Sequence, residues 1–216
     1  MKNEKTKRLT LSAIMIALGT ILSLIKIFHL PTGGAITLFS MLPVMVASYT
    51  YGVPWGLLTG SVFGVLQAVL GATASQAFAG QKLLGVLGIL FMDYIAAFAA
   101  LGLAGTFKGR IKTPAVSFAV GIVFAGCVRY LCHLLSGYLL FGSYAEWFFT
   151  EVLVNDTTAK ILGMAAEHPQ LVALIYSAIY NALYLVPEVI ITCIAGTILV
   201  LTVPPVRKEM TRQHNT

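Results

Sequence analysis

The sequence predicts an all-α integral membrane protein, a single bundle of six transmembrane helices with both termini on the cytoplasmic side. Three observations carry that prediction. Hydrophobic residues fill 58% of 216 positions and charged residues only 10%, with a mean hydropathy of +0.87, whereas soluble domains carry roughly 25% charge. The apolar residues are gathered into runs suited to a hydrocarbon core about 30 Å thick. The basic residues are distributed unevenly between the ends of those runs. At about 20 residues per span the chain holds six or seven spans with short loops, and no second soluble domain.

Apolar runs bounded by charge and by Gly or Pro place the helices at about 9–28, 36–51, 53–71, 83–107, 115–141 and 171–203. Basic residues precede the first run, but no small-residue cleavage site follows it, so this helix is expected to stay in the mature protein. The second and third runs are short and divided only by Tyr51-Gly52-Val53-Pro54, which suggests a hairpin that is tilted or broken. Outer loops are expected at 29–35, 72–82 and 142–170.

Four Lys and Arg precede the first helix, three (Lys108, Arg110, Lys112) separate the fourth from the fifth, and three (Arg207, Lys208, Arg212) follow the sixth. The opposite side receives Lys82 and Lys160, the latter in a loop with Glu146, Glu151, Asp156 and Glu167. The positive-inside rule therefore places both termini in the cytoplasm. The net charge of +6 is thus a topology signal and implies the lipid bilayer, not nucleic acid, as the surrounding partner. There is no internal repeat, and no GxxxxGK[ST] loop to hydrolyse ATP. Nucleophile–base pairs, H-E-x-x-H and clustered acids are also lacking, so neither an enzyme nor a metal site is expected. Cys127, Cys132 and Cys193 fall inside apolar runs and read as small core residues.

Ionisable groups inside a bilayer are costly and usually face a cavity or a partner. There are four: Asp93, Arg129, His133 and Glu188. Counted from the outer helix ends at ~1.5 Å per residue, Asp93, His133, Arg129, Tyr176 and Asn181 lie ~8–18 Å deep, and Glu188 sits apart at ~26 Å. Arg129, His133, Gly137 and Phe141, spaced by four, share one helix face, with the glycine leaving room beside the histidine. Tyr176, Tyr180 and Tyr184 form a similar row. Each group has a structural alternative: an Asp93–Arg129 salt bridge between the fourth and fifth helices, a satisfied core histidine, or Glu188 bonded to backbone freed at Pro187. Tyr138, Tyr144 and Trp147 suit an interfacial aromatic belt. Together, an acid, a histidine, an amide and several rings at one depth suit a flat, cationic heteroaromatic with hydrogen-bonding edges. Ala13 and Ala17 on the first helix have the small-xxx-small spacing of close helix contact, within the chain or with a partner.

The sequence resembles the thiamine-specific substrate-binding subunits (S-components) of energy-coupling factor (ECF) vitamin transporters, the ThiT (YuaJ) family. The resemblance rests on Pro31-Thr-Gly-Gly-Ala-Ile-Thr-Leu running into Ser40-Met-Leu-Pro43, and on Met92-Asp-Tyr94 leading to Ala100-Leu-Gly-Leu-Ala-Gly105. It extends through Arg129-Tyr-Leu-Cys-His133, Ser136-Gly137, Tyr176-Ser-Ala-Ile-Tyr-Asn181 and Pro187-Glu188. It implies a six-helix bundle in the bacterial plasma membrane that captures thiamine at the outer face. Asp93, Tyr94, His133, Gly137, Phe141, Tyr176 and Asn181 would contact the ligand. The segment carrying Pro31, Gly33 and Gly34 would be a lid. Ala13 and Ala17 would dock a membrane scaffold subunit shared with two ATP-binding subunits. No cofactor is implied. The chain departs from the family pattern in three places: aspartate replaces glutamate at Asp93, phenylalanine replaces tryptophan at Phe141, and Gly34 aligns with a first-loop tryptophan. A proton-coupled secondary carrier using Asp93, His133, Arg129 and Glu188, or a subunit for a fragment such as hydroxymethylpyrimidine, are the rival expectations.

Overall fold

The computed structural model describes residues 2–31, 33–70 and 77–211. Helix α1 runs over Lys2–Leu24. The first helix was expected to continue to Phe28, yet the chain turns extended at Lys26–His29 (β1) and pairs antiparallel with Ala35–Thr37 (β2). Ile25, Ile27, Ile36 and Thr37 are β-branched and lose side-chain freedom in a helix, so they favour the hairpin once α1 ends. At that end Ser23 Oγ donates back to the Thr20 carbonyl, 2.7 Å, a local side-chain bond that competes with continued helix. The predicted loop 29–35 is therefore the distal part of a β-hairpin. Thr32 within it, residues 71–76 of the next predicted outer loop and Arg212 lie outside the described residues.

Between β2 and the next helix, Phe39 takes φ 45°, a left-handed conformation that a bulky side chain adopts only when its surroundings impose it. Helix α2 then covers only Leu42–Tyr51, with Pro43 in its first turn. Its ten residues reach ~15 Å, about half a span, which corrects the expected start at residue 36. Among the described residues five helices are long and apolar enough to cross a bilayer: α1, α3 (Val53–Leu70), α4 (Leu83–Gly105), α5 (Pro114–Leu140) and α6 (Pro169–Thr202). Pro187 sits inside α6 without breaking it. A last helix, α7 (Pro204–Thr211), follows. The predicted outer loop 142–170 is largely folded as short helical turns, and a helix over Asp156–Gly163 is capped by Asn155 and Thr158. Phe148 and Phe149 from this stretch are buried against the outer half of α6.

Lipid-facing positions are apolar: Leu18, Ile21, Val62, Leu131, Leu135, Ile190 and Ile194 are all exposed. Since lipid tails are as apolar as these side chains, helix association rests on close packing and hydrogen bonds. One such close approach joins α3 to α4. Gly56, Gly60 and Gly64, four apart on α3, lie against Gly102, the Phe98 carbonyl and the Tyr94 carbonyl, positions that are also four apart on α4. A methyl group at Gly60 would overlap the Phe98 carbonyl oxygen. On the other flank α5 and α6 run antiparallel, with Gly137 against Ser177, Gly126 against Val189, and Gly196 against Phe118 and Ile122. Cys127, expected in the core, is exposed on the lipid side, and Cys132 and Cys193 are half-buried free thiols.

One end of the bundle collects basic groups. Lys7 Nζ pairs with Glu209 Oε1 at 2.7 Å, Arg8 lies 4.5 Å over the Trp55 ring, and Lys108 donates to the Thr50 carbonyl at 3.0 Å. Burial lowers the Lys108 pKa and the nearby Glu209 charge raises it. The N-terminal turn, the α4–α5 connection and α7 thus share one end, the one that the charge count marks as cytoplasmic. The exposed Lys7–Glu209 pair itself contributes about 1 kcal/mol or less.

Because the Gly60 contact is backbone to backbone, Gly60→Ala should destabilise the bundle by about 1–3 kcal/mol, a typical cost of overpacking. Thermal unfolding in detergent measures it; an unchanged midpoint would show that α3 and α4 can separate freely.

Candidate functional site

Helices α4, α5 and α6 and the β-hairpin enclose a cavity of 140 Å³, roughly ten times the ~10–15 Å³ that one water needs. Its lining includes every residue singled out for ligand contact, Asp93, Tyr94, His133, Gly137, Phe141, Tyr176 and Asn181, together with Gly33 and Gly34. Pro31 is exposed outside it. Ala13 and Ala17 lie elsewhere, exposed on the outer face of α1 beside Ile14 and Leu18.

Local structure explains how α4 delivers its pair. Over Leu90–Ala96 the helix widens into π turns and after Ala99 tightens into a 3-10 helix through Gly105. Such irregular turns frequently mark functional sites. Asp93 and Tyr94 stand in the widened stretch, while Gly64 on α3 admits the Tyr94 backbone. The Tyr94 ring stacks on Phe98, with centroids 6.3 Å apart and planes 9° apart.

The polar groups form one string. Arg129 Nε donates to His133 Nε2 at 3.3 Å, so the imidazole carries its proton on Nδ1 and donates it to Asp93 Oδ1 at 2.7 Å. Ser136 Oγ donates to Asp93 Oδ2. The direct Asp93–Arg129 salt bridge, one of the structural alternatives, does not form: the imidazole lies between the two charges. Asp93 is left with both oxygens anchored and lone pairs still facing the cavity. The Arg129 guanidinium lies 4.2 Å from the Phe98 ring centroid, a cation–π contact made stronger by desolvation.

Asn181 ties α6 to α5. Its Nδ2 donates to the carbonyls of His133 and Ser177, at 3.2 and 2.9 Å, and its Oδ1 accepts from Tyr184 at 2.9 Å. Gly137 makes room for this joint, since a side chain there would strike Ser177 Oγ. Further out, Phe148 packs edge-on to Tyr176 and Tyr180 at 5.4 and 5.5 Å, contacts worth about 0.5–1.5 kcal/mol each beyond burial.

Glu188 departs from the sequence-based picture. Depth counting places it apart from the other ionisable groups, with backbone freed at Pro187 as one alternative partner; instead it lines the inner end of the cavity. Its Oε1 accepts from Thr37 Oγ1 at 2.5 Å and Ser40 Oγ at 3.4 Å. Depth counting along one helix missed this because the hairpin and the turn at Phe39 carry Thr37 and Ser40 down into the bundle. Tyr176, Tyr180, Tyr184 and Glu188 recur every four residues over ~18 Å of α6, a periodicity visible in the sequence as one continuous face. Tyr180 and Tyr184 also line the cavity without having been assigned to it, and both engage the hairpin. Tyr180 donates to the Gly33 carbonyl at 2.7 Å, and the Tyr184 ring fills the space beside Gly34.

A membrane-embedded helical bundle whose buried polar and aromatic groups surround a cavity closed by a hairpin is built to enclose a small solute. The comparisons narrow the class. Residues 9–148 match the family described as thiamine transporter protein (Thia_YuaJ). The thiamine transporter ThiT of Bacillus subtilis (strain 168) is 32% identical over 219 aligned residues, covering 96% of this chain and 97% of that one. A solved structure of ThiT from Listeria monocytogenes superposes with a TM-score of 0.69 over 94% of this chain and 98% of its own, at 20% identity, which shows a shared fold. The chain belongs to the thiamine transporter (Thia_YuaJ) family and is a multi-pass protein of the bacterial plasma membrane.

Tyr180→Phe keeps the ring and removes the bond to Gly33. Hydrogen exchange in the hairpin should accelerate roughly three- to tenfold, the equivalent of one hydrogen bond. Unchanged protection would mean that the hairpin is held by its other contacts.

Proposed function

We propose that this protein is the thiamine-binding specificity subunit of an ATP-driven energy-coupling factor importer. It captures thiamine at the outer face and presents it to a membrane scaffold subunit bearing two ATP-binding subunits, performing no chemistry on the ligand. The single observation that carries the binding half of this reading is the anchored Asp93 carboxylate among cavity-lining rings. A desolvated anion flanked by Tyr94, Phe141 and Tyr176 favours a flat organic cation, by charge and by stacking. Asp93 accepts from the aminopyrimidine and offsets the thiazolium charge, and the three rings stack. His133 and Asn181 hold the carboxylate and the helix joint in register, so their influence on ring edges is partly through positioning. The hairpin bearing Gly33 and Gly34 acts as the lid, and its bond to Tyr180 is the latch.

The coupling half rests on α1 and on the sequence. Ala13 and Ala17 lie on an exposed, apolar helix face that another helix can approach closely. The sequence carries no phosphate-binding loop, so an ATP drive comes from partners. One observation favours the rival, proton-coupled reading: Asp93, His133 and Arg129 are joined by hydrogen bonds, as a relay requires. Glu188, bonded to hydroxyls, stands outside that string. Uptake into vesicles separates the two. The subunit needs ATP and its partners, whereas a solitary carrier follows the proton gradient. Calorimetry with thiamine and its two halves tests the hydroxymethylpyrimidine alternative.

Asp93→Asn should weaken thiamine binding by at least tenfold, the loss of about one charge-assisted contact, with folding retained through His133 and Ser136. Unchanged affinity by calorimetry would remove Asp93 from the site. Ala13→Trp should abolish ATP-dependent uptake and leave binding intact; if binding were lost as well, the docking role of α1 would have no support.

A further inference from the structure

Helix α4 carries two distortions, and only the first reaches the cavity. The π turns over Leu90–Ala96 present Asp93 and Tyr94, whereas the 3-10 stretch over Ala100–Gly105 lies beyond the lining. Runs of 3-10 helix longer than three or four residues are uncommon, and this one has six, so a group outside the helix has to support it. Ser48, from the middle of α2, is 0% exposed. Its Oγ donates to the Gly102 carbonyl at 2.5 Å and accepts from the Gly105 N–H at 3.1 Å. The hydroxyl therefore bridges the two ends of one 3-10 turn. Both glycines are needed for this approach: a Cβ at Gly105 would lie 2.7 Å from the Ser48 carbonyl oxygen, and one at Gly102 would overlap the backbone of Gly56 and Leu57.

Winding connects this turn to the cavity. A 3-10 helix has 3.0 residues per turn against 3.6 in an α-helix, so a run of this length adds roughly 120° of rotation. The π turns underwind the helix. The two stretches thus offset each other, and Tyr94, Phe98 and Gly102 all keep their places against the α3 glycines. If the 3-10 turns relaxed to α geometry, the outer half of α4 would rotate about its axis. Asp93, ~14 Å along the helix from Gly102, would then turn away from His133 and Ser136.

We propose that Ser48 is a positioning residue for the cavity: it holds the 3-10 turn that sets the direction in which α4 presents Asp93. The proposal rests on the reading of Asp93 as the counter-charge of the ligand. Ser48 acts through the helix and not by contact, since it stands outside the cavity lining.

Calorimetry with thiamine on the purified full chain tests it in a cycle of Ser48→Ala, Asp93→Asn and the double variant. Ser48→Ala should weaken binding about five- to tenfold, the scale of one charge-assisted hydrogen bond partly lost. In the Asp93→Asn background the same change should weaken it by less than about twofold, because a residue acting through Asp93 is not additive with it. Equal losses in the two backgrounds, or no loss in the first, overturn the proposal and leave the thiamine reading standing. The His133 Nδ1 proton shared with Asp93 gives a readout without ligand. Its NMR resonance should lose its downfield position in Ser48→Ala and keep it in Ser12→Ala, which removes a buried hydroxyl that bonds Trp55 instead. If the wild type does not bind thiamine, or Asp93→Asn leaves its affinity unchanged, the reading of the site falls and this resonance decides alone: a shift in Ser48→Ala upholds the positioning role, and an unmoved signal overturns it. Ser48→Cys keeps the volume with only a weak donor, and it takes the place of the alanine variant in both measurements should that variant not fold.

Discussion

The architecture depends on one constraint: polar groups withdrawn from water inside a bilayer must find partners within the protein. Around the cavity Asp93, Asn181 and Glu188 each tie two elements together. Asp93 joins α4 to α5 through His133 and Ser136. Asn181 joins α6 to α5, and Glu188 joins α6 to the hairpin through Thr37 and Ser40. Hydrogen bonds between membrane helices average only about 0.6 kcal/mol, so these links contribute little net stability individually. Leaving any of the groups unpaired costs more, about 1–3 kcal/mol or above for a charge. Their main consequence is register: α4, α5, α6 and the hairpin have few relative positions in which all of these groups are satisfied.

Close packing sets how near the elements can come before those bonds form. The glycines at 56, 60 and 64 let α3 and α4 touch through their backbones. That leaves the polar face of α4 turned toward α5, where Ser136 and His133 wait. Glycine serves a different purpose at Gly137, where the absence of a side chain lets Ser177 and Asn181 approach α5. Small residues on α3 and α5 and polar residues on α4 and α6 therefore act together: the first remove volume, and the second use the resulting proximity.

Much of this was legible in the sequence because membrane helices obey simple periodic rules. The helix spans, the four-residue stripe from Arg129 to Phe141 and the recurrence of tyrosine on α6 all follow from hydropathy and a 3.6-residue period. What failed were the flanks of the loop expected at 29–35: residues 25–28 and 36–41 read as helix by hydropathy, whereas they form strands and a turn. Only the β-branched residues there and the Pro31 to Gly34 turn hint at a hairpin. The position of Glu188 failed for the same reason: its partners come from the hairpin, and no count along a single helix can bring Thr37 down to meet it. The Asp93–Arg129 salt bridge, one of the structural alternatives, does not form. His133, one turn from Arg129 on the same face, reaches both charges and intercepts their contact.

The departures from the family pattern now have physical counterparts. The family pattern that the sequence resembles has a tryptophan in the first outer segment, where Gly34 stands here. In this fold a Cβ at Gly34 would lie 2.7 Å from the Tyr184 ring, and the residue has φ +83°, a conformation that disfavours any side chain. Tyr184 thus occupies the neighbouring space with an aromatic ring supplied from α6 instead of from the loop. Carried on α6, that ring is fixed by its hydroxyl, which donates to Asn181 Oδ1. The shorter acid at Asp93 is compensated differently, since His133 and Ser136 reach across from α5 to hold it. Both groups, the Tyr184 ring and the Asp93 carboxylate, stand on helices, so helices supply these walls of the cavity while the hairpin lines another side.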